Sequence, residues 1–178
     1  GLRDLHLANN LKNLLKNIEN LRKKNEIRTV PIFVKISPDI NDDELGVMCG
    51  IFLEFNVDGI IISNTTLERP FKGFGINLKG GLSGRLLYQT STDQLKKVYE
   101  KTKGKIPLIG VGGISSAKDA YNKIRNGASL VQLYTGLVYQ GPGLIKKINQ
   151  EISVLLKNDG FDNIKDAVGI DTEIVNDN

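Results

Sequence analysis

The chain has 178 residues, of which 40% are hydrophobic and 25% are charged, and its formal net charge is +4. This composition is typical of one globular domain with a core of its own, and no internal repeat or low-complexity tract interrupts it. The only tight basic cluster, Arg22-Lys23-Lys24, is interpreted as a solvated helix surface. We therefore predict no nucleic-acid partner.

The chain contains a single cysteine, Cys49, which cannot close an intrachain disulfide. The fold therefore does not depend on an oxidising compartment, and Cys49 is expected in the core side of a helix. No apolar run approaches the roughly 20 residues of a membrane-spanning helix, and no signal-peptide pattern opens the chain. Any targeting or membrane segment is expected outside this sequence.

The first half of the chain alternates between helical and strand-like patterns. Apolar residues at helical spacing (Leu7, Leu11, Leu14, Leu15, Ile18 and Leu21) precede a β-rich run over residues 32–36. Asn41 is the predicted N-cap of a second helix, which has three acidic residues in its first turn and extends to about Phe55. A second strand is predicted over residues 59–63.

Residues 65–87 lack periodicity and contain five glycines, which is typical of a long functional loop after a strand. Helices are then predicted at about 91–102, 116–125 and 142–157, and strands at 106–111 and 130–133. Asn126-Gly127 is a predicted helix stop, and residues 163–168 could add one helical turn. We assign residues 1–170 to one domain and expect residues 171–178 to be a frayed tail.

Alternating strands and helices predict an α/β fold with a parallel sheet and right-handed crossovers. Four strands cannot close a (β/α)8 TIM barrel, which takes about 250 residues. The chain is therefore expected to supply about the second half of such a barrel, since Gly1-Leu2-Arg3 has neither a methionine nor a strand before it.

Each predicted strand is followed by polar residues or glycine, and in a barrel these ends face the active site. Lys35 lies in an apolar strand, where a buried charge costs several kcal/mol unless it finds polar surroundings. The favoured interpretation is that Lys35 points into a polar cavity. The alternative is an edge strand from which Lys35 reaches water.

Ser63-Asn64-Thr65-Thr66 follows the second strand with neutral hydrogen-bonding side chains. An amide such as that of Asn64 both donates and accepts, which suits a ligand with carbonyl and ring N–H groups. An Asx turn or a helix cap would use the same residues, so both interpretations stay open.

Gly112-Gly113 and Tyr134-Thr135 follow the last two strands, where a barrel commonly holds a phosphate. The two motifs together indicate an enzyme that binds a phosphorylated cofactor. Gly80-Gly81-Leu82-Ser83-Gly84 is a weaker signal, because glycine-rich turns are common.

The chain offers little for metal or nucleophilic chemistry. It has one histidine, His6, and no metal-ligand spacing, so no protein metal site is predicted. A Cys49–His6 nucleophile is disfavoured because the two residues are far apart in sequence. Asp39 and Asp58 are interpreted as turn residues, and Asp119 as a residue of the first turn of a helix.

Five motifs in this order and spacing resemble the quinone-dependent, membrane-associated class of dihydroorotate dehydrogenases: residues 34–39 (VKISPD), 63–66 (SNTT), 80–84 (GGLSG), 110–114 (GVGGI) and 132–135 (QLYT). The resemblance extends from Gly1 to about Gly169. It implies an FMN enzyme of pyrimidine biosynthesis that oxidises dihydroorotate to orotate and passes electrons to ubiquinone.

The resemblance also implies roles for individual residues. Lys35 would lie near the pyrimidine edge of FMN, and Asn64 and Thr65 would hydrogen-bond orotate. The other residues expected to bind FMN are Ser63, Ser83, Gly84, Gly112 and Gly113, with Tyr134 and Thr135 at the phosphate.

No catalytic residue is expected within the chain. Gly1-Leu2-Arg3 looks like the end of the loop that carries the family's serine base, so the base is expected in the missing half. We therefore expect the chain alone to be inactive and to hold FMN weakly. The resemblance further implies a location at the mitochondrial inner membrane of a eukaryote or the inner membrane of a bacterium. The alternatives are another FMN or phosphate-binding barrel enzyme and a non-catalytic half-barrel binding module.

Overall fold

The computed structural model describes residues 8–24, 30–69 and 80–173. Helices and strands alternate through these residues. In chain order they are α1 (Ala8–Lys24), β1 (Phe33–Ile36), α2 (Asp42–Glu54), β2 (Gly59–Ile62), a 3-10 helix (Arg85–Leu87), α3 (Tyr88–Thr102), β3 (Leu108–Val111), α4 (Ala117–Arg125), β4 (Ala128–Gln132), α5 (Thr135–Gln140), α6 (Gly143–Asn158) and a second 3-10 helix (Ile164–Ala167).

The four strands form one parallel sheet in the order β1-β2-β3-β4. Sequential neighbours in a parallel sheet need a crossover on one face, which the intervening helices provide. The predicted parallel α/β fold is therefore confirmed. Within the described residues the sheet is open, with β1 and β4 at its edges.

Capping residues set several helix boundaries where the sequence predicted them. Asn41 accepts a hydrogen bond from Glu44 N at 2.9 Å, and Ser116 caps α4 through Asp119 N at 3.2 Å. Asn126 ends α4, and Gly127 follows with a φ of 108° that favours glycine.

Several elements differ from the prediction, and β3 begins at Leu108, two residues after its predicted start. α3 begins at Tyr88, three residues before the predicted start, because the 3-10 helix leads directly into it. β4 begins at Ala128, where the register with β3 shifts between Leu108 and Ile109. The short helix α5 was not predicted, because six residues are too few to show an apolar period.

The two faces of the sheet differ in exposure. Ile36, Ile60, Ile62 and Leu108 are buried in the main core with residues of α1, α2 and α3, and Cys49 belongs to that core as predicted. The opposite face carries a row of residues in register that are half-buried or exposed: Lys35, Ile61, Ile109 and Leu130. In a barrel this face points to the interior.

The C-terminal segment is tied to the helices as far as the structure describes it. The carboxylate of Asp171 accepts hydrogen bonds from Arg125 Nε at 2.8 Å and Nη2 at 2.7 Å. Glu173 N donates to Glu100 Oε1 at 3.1 Å. Of the tail predicted to fray, residues 174–178 lie outside the described residues.

The described residues include no helix that is both long and apolar enough to cross a membrane.

Candidate active site

A cavity of about 590 Å³ lies at the carboxyl ends of the four strands. All ten residues that the sequence pointed to for cofactor or substrate binding line it, namely Lys35, Ser63, Asn64, Thr65, Ser83, Gly84, Gly112, Gly113, Tyr134 and Thr135. Its volume is in the ordinary range for a small-molecule site. The carboxyl ends of all four strands therefore contribute to one cavity.

Lys35 contributes the positive charge on the β1 side of the cavity. Its side chain lines the cavity and is exposed, and β1 is an edge strand among the described residues. Both interpretations of Lys35 therefore hold in part, because the same side chain faces the cavity and reaches solvent. An ammonium here is available to an anionic or electron-rich ligand in the cavity.

The segment after β2 bends so that three polar residues follow the strand into the cavity. Ser63 is buried, and its hydroxyl donates to Asn64 O at 2.9 Å. Asn64 N donates to Ile36 O at 2.8 Å, which ties the segment to the end of β1. Asn64 Oδ1 accepts from Thr65 N at 2.8 Å, which is a local turn contact. Asn64 also lines the cavity, so the two interpretations of this residue are compatible.

The glycine-rich loop is docked against this segment. Thr66 and Leu82 form an antiparallel bridge, and a Cβ at Gly81 would overlap the Thr65 hydroxyl. Asp39 accepts from the Thr66 hydroxyl and, at 2.8 Å, from Leu67 N. Asp39 is thus a turn residue, as predicted, and it fixes the loop that brings Ser83 and Gly84 to the cavity.

The Gly112–Gly113 turn forms the β3 side of the cavity. Their φ angles are 119° and 69°, which only glycine adopts without strain. A Cβ at Gly113 would also come within 2.5 Å of the Tyr88 Cβ. The backbone therefore runs close to the start of α3 and leaves main-chain groups, instead of side chains, on the cavity wall.

Tyr134 and Thr135 close the β4 side. Tyr134 is 79% exposed, so packing does not explain its position, and Thr135 is the first residue of α5. The Thr135 hydroxyl donates to Ser83 Oγ at 3.0 Å.

Sequence reasoning missed the contribution of the two C-terminal helices. Leu137 of α5 and Ile145, Ile148 and Asn149 of α6 also line the cavity. Ile145 of α6 is 48% exposed although its side chain is apolar. The signal available in the sequence was the apolar stripe of α6, in which Ile145 stands beside Leu144 and Ile148.

Asp58, Asp119 and Cys49 occupy positions that serve the fold. Asp58 accepts from Ile32 N at 2.6 Å, and Asp119 lies in the first turn of α4, as predicted for both. Burial raises the pKa of the Cys49 thiol to about 11, so the thiolate is disfavoured at neutral pH. His6 and Gly1-Leu2-Arg3 lie outside the described residues.

Comparison with known proteins identifies relatives of the chain. The family model of dihydroorotate dehydrogenase matches residues 1–156. The dihydroorotate dehydrogenase (quinone) of Parvibaculum lavamentivorans is 47% identical over 176 residues, which cover 98% of this chain and 49% of that protein. The mitochondrial dihydroorotate dehydrogenase (quinone) of Oryza sativa subsp. japonica is 45% identical and is covered to 38%.

A solved structure shows the same fold. The dihydroorotate dehydrogenase of Eimeria tenella, crystallised with ferulenol, matches with a TM-score of 0.88 and 33% identity over 96% of this chain and 50% of that chain. The chain thus spans half or less of the length of these relatives. It has the fold of about half of their (β/α)8 TIM barrel, and it belongs to the dihydroorotate dehydrogenase family.

Proposed function

We propose that this chain forms the second half of a barrel that oxidises dihydroorotate to orotate with FMN and a quinone acceptor, in pyrimidine biosynthesis. The observation that carries the proposal is the single cavity to which all four strand ends contribute. The relatives named dihydroorotate dehydrogenase (quinone) support the choice of reaction and acceptor. Below, the completed barrel means this chain together with the half that its relatives have in addition.

The residues on the cavity wall fit a flavin nucleotide. A phosphate suits the backbone of Gly112 and Gly113 and the hydroxyl of Thr135, because N–H and O–H groups are its natural donors. Ser83 and Gly84 bring a hydroxyl and a close stretch of backbone to the same side. Bound FMN would supply the acceptor for two electrons.

Lys35 lies across the cavity from these groups, on the opposite edge strand of the sheet. We assign it the role of holding positive charge beside the flavin ring, where negative charge develops on reduction. A preorganised cation next to developing charge is one form of electrostatic stabilisation.

Asn64 and Thr65 are the proposed substrate contacts. Dihydroorotate and orotate present ring carbonyls, ring N–H groups and a carboxylate, and an amide beside a hydroxyl can pair with each of these. Oxidation removes one proton and one hydride equivalent from adjacent carbons. The base for that proton is proposed in the other half, so this half binds and orients.

The proposed location is the mitochondrial inner membrane of a eukaryote or the inner membrane of a bacterium. The mitochondrial part of this proposal is supported by two plant relatives that are named mitochondrial.

The test uses the completed barrel. It should be yellow when purified and should reduce a quinone with dihydroorotate, whereas Lys35→Ala and Asn64→Ala should each lower the rate. Lys118→Ala removes an exposed lysine of α4 and is the matched control. A colourless protein would favour a phosphate-binding barrel without flavin. Full activity in both site variants would favour the alternative in which this half of the barrel is a non-catalytic binding module.

A further inference from the structure

Lys123 is a fully buried lysine that no role described above uses. It belongs to α4, and its side chain lies along β3 at Gly110. A Cβ at Gly110 would come within 3.0 Å of the Lys123 Cδ and 3.2 Å of the Ala128 Cβ. The glycine therefore makes room for the lysine to pass beneath the strand.

The Lys123 ammonium ends among hydroxyl groups of α3. Nζ donates to Ser91 Oγ and to Thr92 Oγ1, both at 2.9 Å, and lies 5.1 Å from the centroid of the Tyr88 ring. Two hydroxyls and an aromatic face satisfy the hydrogen-bonding demand of the ammonium. They leave its charge uncancelled.

The same hydroxyls connect Lys123 to the glycine turn of the cavity. Ser91 Oγ lies 3.0 Å from Tyr88 O and 3.3 Å from Gly112 O, so its single proton is shared between these two carbonyls while its oxygen accepts from Lys123. A Cβ at Gly112 would come within 2.7 Å of Ser91 Oγ. Ser91 thus lies directly between the ammonium and the turn.

The charged groups around Lys123 do not neutralise it fully. Burial lowers the pKa of Lys123 to about 7, against a smaller raising effect of Asp119 and Asp93. Asp119 is already paired with Arg85 at 2.6 Å, and the Arg85 guanidinium lies 4.6 Å from the Tyr88 ring. An uncompensated buried charge is costly, and an apolar side chain of similar size would avoid that cost.

We propose that Lys123 is a positioning residue for the phosphate end of the nucleotide. Through Ser91 it holds the Gly112–Gly113 turn in place, and its ammonium puts positive charge behind the wall that the phosphate meets. The inference rests on the proposed function, because it requires that a phosphorylated flavin occupies this cavity.

A comparison of FMN with riboflavin measures the contribution of the phosphate to binding, since riboflavin has the same ring system and no phosphate. The affinity of the completed barrel for each is measured by quenching of flavin fluorescence. Lys123→Met should weaken FMN on the order of tenfold, the effect of losing one favourable charge interaction, and should leave riboflavin within about twofold. Lys118→Met, on the exposed side of α4, should change neither affinity.

Thermal unfolding and pH separate positioning from a merely structural role. Lys123→Met should leave the melting temperature unchanged or higher, since it removes a buried charge. In the unaltered protein FMN should bind more weakly as pH rises from 7 to 9, a range in which the phosphate gains little further negative charge. Riboflavin affinity and the FMN affinity of Lys123→Met should not change with pH.

Two results would overturn the inference. In the first, Lys123→Met loses FMN and riboflavin affinity equally and also melts at a lower temperature. In the second, the FMN affinity changes neither with Lys123→Met nor with pH. If Lys123→Met does not fold, the pH profile of the unaltered protein and the FMN affinity of Ser91→Ala decide the question. Ser91→Ala should weaken FMN selectively, and unchanged FMN binding there with a flat pH profile would refute the proposal. If the unaltered protein binds neither flavin, the proposed function fails as well.

Discussion

The Thr135 hydroxyl donates a hydrogen bond to Ser83 Oγ at 3.0 Å and so joins two sides of the cavity that are 52 residues apart in the sequence. Gly84 follows with a φ of 76°, and a Cβ there would lie 3.2 Å from the Thr135 Cγ2. A side chain at position 84 would therefore be strained by the positive φ and would crowd Thr135, so glycine suits the approach of the loop to the start of α5.

Thr135→Val removes this hydrogen bond and keeps the shape of the side chain. We expect FMN to bind the completed barrel more weakly by about 1 kcal/mol, since one hydroxyl contact is lost. A double-mutant cycle with Ser83→Ala, read by flavin fluorescence, should show that the two effects are not additive. Ser153→Ala, an exposed hydroxyl on α6, is the control; strictly additive losses would mean that the two residues act separately.

Gly113→Ala should disrupt the turn between β3 and α4. A φ of 69° and the 2.5 Å approach to the Tyr88 Cβ should together cost at least about 2 kcal/mol of unfolding free energy. FMN binding should be lost with it. Gly50→Ala is the matched control, because that exposed helix position has open space and should gain up to about 1 kcal/mol. Equal stability of the two variants in chemical denaturation would contradict the account of the turn.

Lys123 should make stability depend on pH. Its pKa in the folded chain is about 7, below the ordinary lysine value of 10.5. Between these values the unfolded state binds more protons, so the free energy of unfolding should rise with pH by at most about 1.4 kcal/mol per pH unit. Below pH 7 the full cost of the buried charge is present. Lys123→Met should remove this slope in urea titrations from pH 6 to 10, and an unchanged slope would show that Lys123 is not its source.

Asp119 anchors the loop between β3 and α4. Its carboxylate accepts from Arg85 at 2.6 Å and from the N–H and hydroxyl of Ser115, each at 3.0 Å. Burial opposes ionisation, but the hydrogen bonds outweigh it and hold the pKa of Asp119 below its usual range.

Asp119→Asn should therefore destabilise the protein by about 1–3 kcal/mol at neutral pH, since one partner of a charge-assisted network is lost. The stabilisation by Asp119 is full above the unfolded carboxyl pKa and disappears as pH falls through the lower folded value. The difference between variant and parent should shrink in acid, as followed by thermal unfolding from pH 7 to 3. Asp162→Asn, on an exposed carboxylate, should show no such difference.

The chain alone should not oxidise dihydroorotate. One face of its sheet is largely uncovered in the described residues, both edges are open, and the base is expected in the other half. Reduction of a quinone analogue by the purified chain, compared with the completed barrel, tests this expectation. Measurable turnover by the chain alone would overturn it.

The sequence predicted the parts of the fold that local patterns determine. Apolar periods gave the four strands and the main helices, and the side chain of Asn41 marked one helix start. The convergence of the strand-end residues followed from a parallel sheet, whose carboxyl ends lie at one edge. The residues involved could therefore be named without coordinates.

Contacts that depend on how elements pack could not be predicted in this way. Lys123 fits the pattern of an ordinary surface lysine of α4, and only the packing of α4 on β3 and α3 buries it. The contribution of Asn149 likewise depends on how α6 is placed beside the cavity. Neither the burial of Lys123 nor the position of Asn149 beside the cavity follows from a fixed spacing of residues along the chain.

The most direct test of the central claim is a titration of the purified, flavin-loaded completed barrel with orotate, followed by the flavin absorption band. If the strand ends form one site for a flavin nucleotide and a pyrimidine acid, orotate should shift the band. Asn64→Ala should retain flavin but bind orotate roughly tenfold more weakly, as expected for a lost hydrogen-bonding group. A protein that holds flavin but shows no spectral response to orotate, or an Asn64→Ala variant with unchanged orotate affinity, would contradict the account.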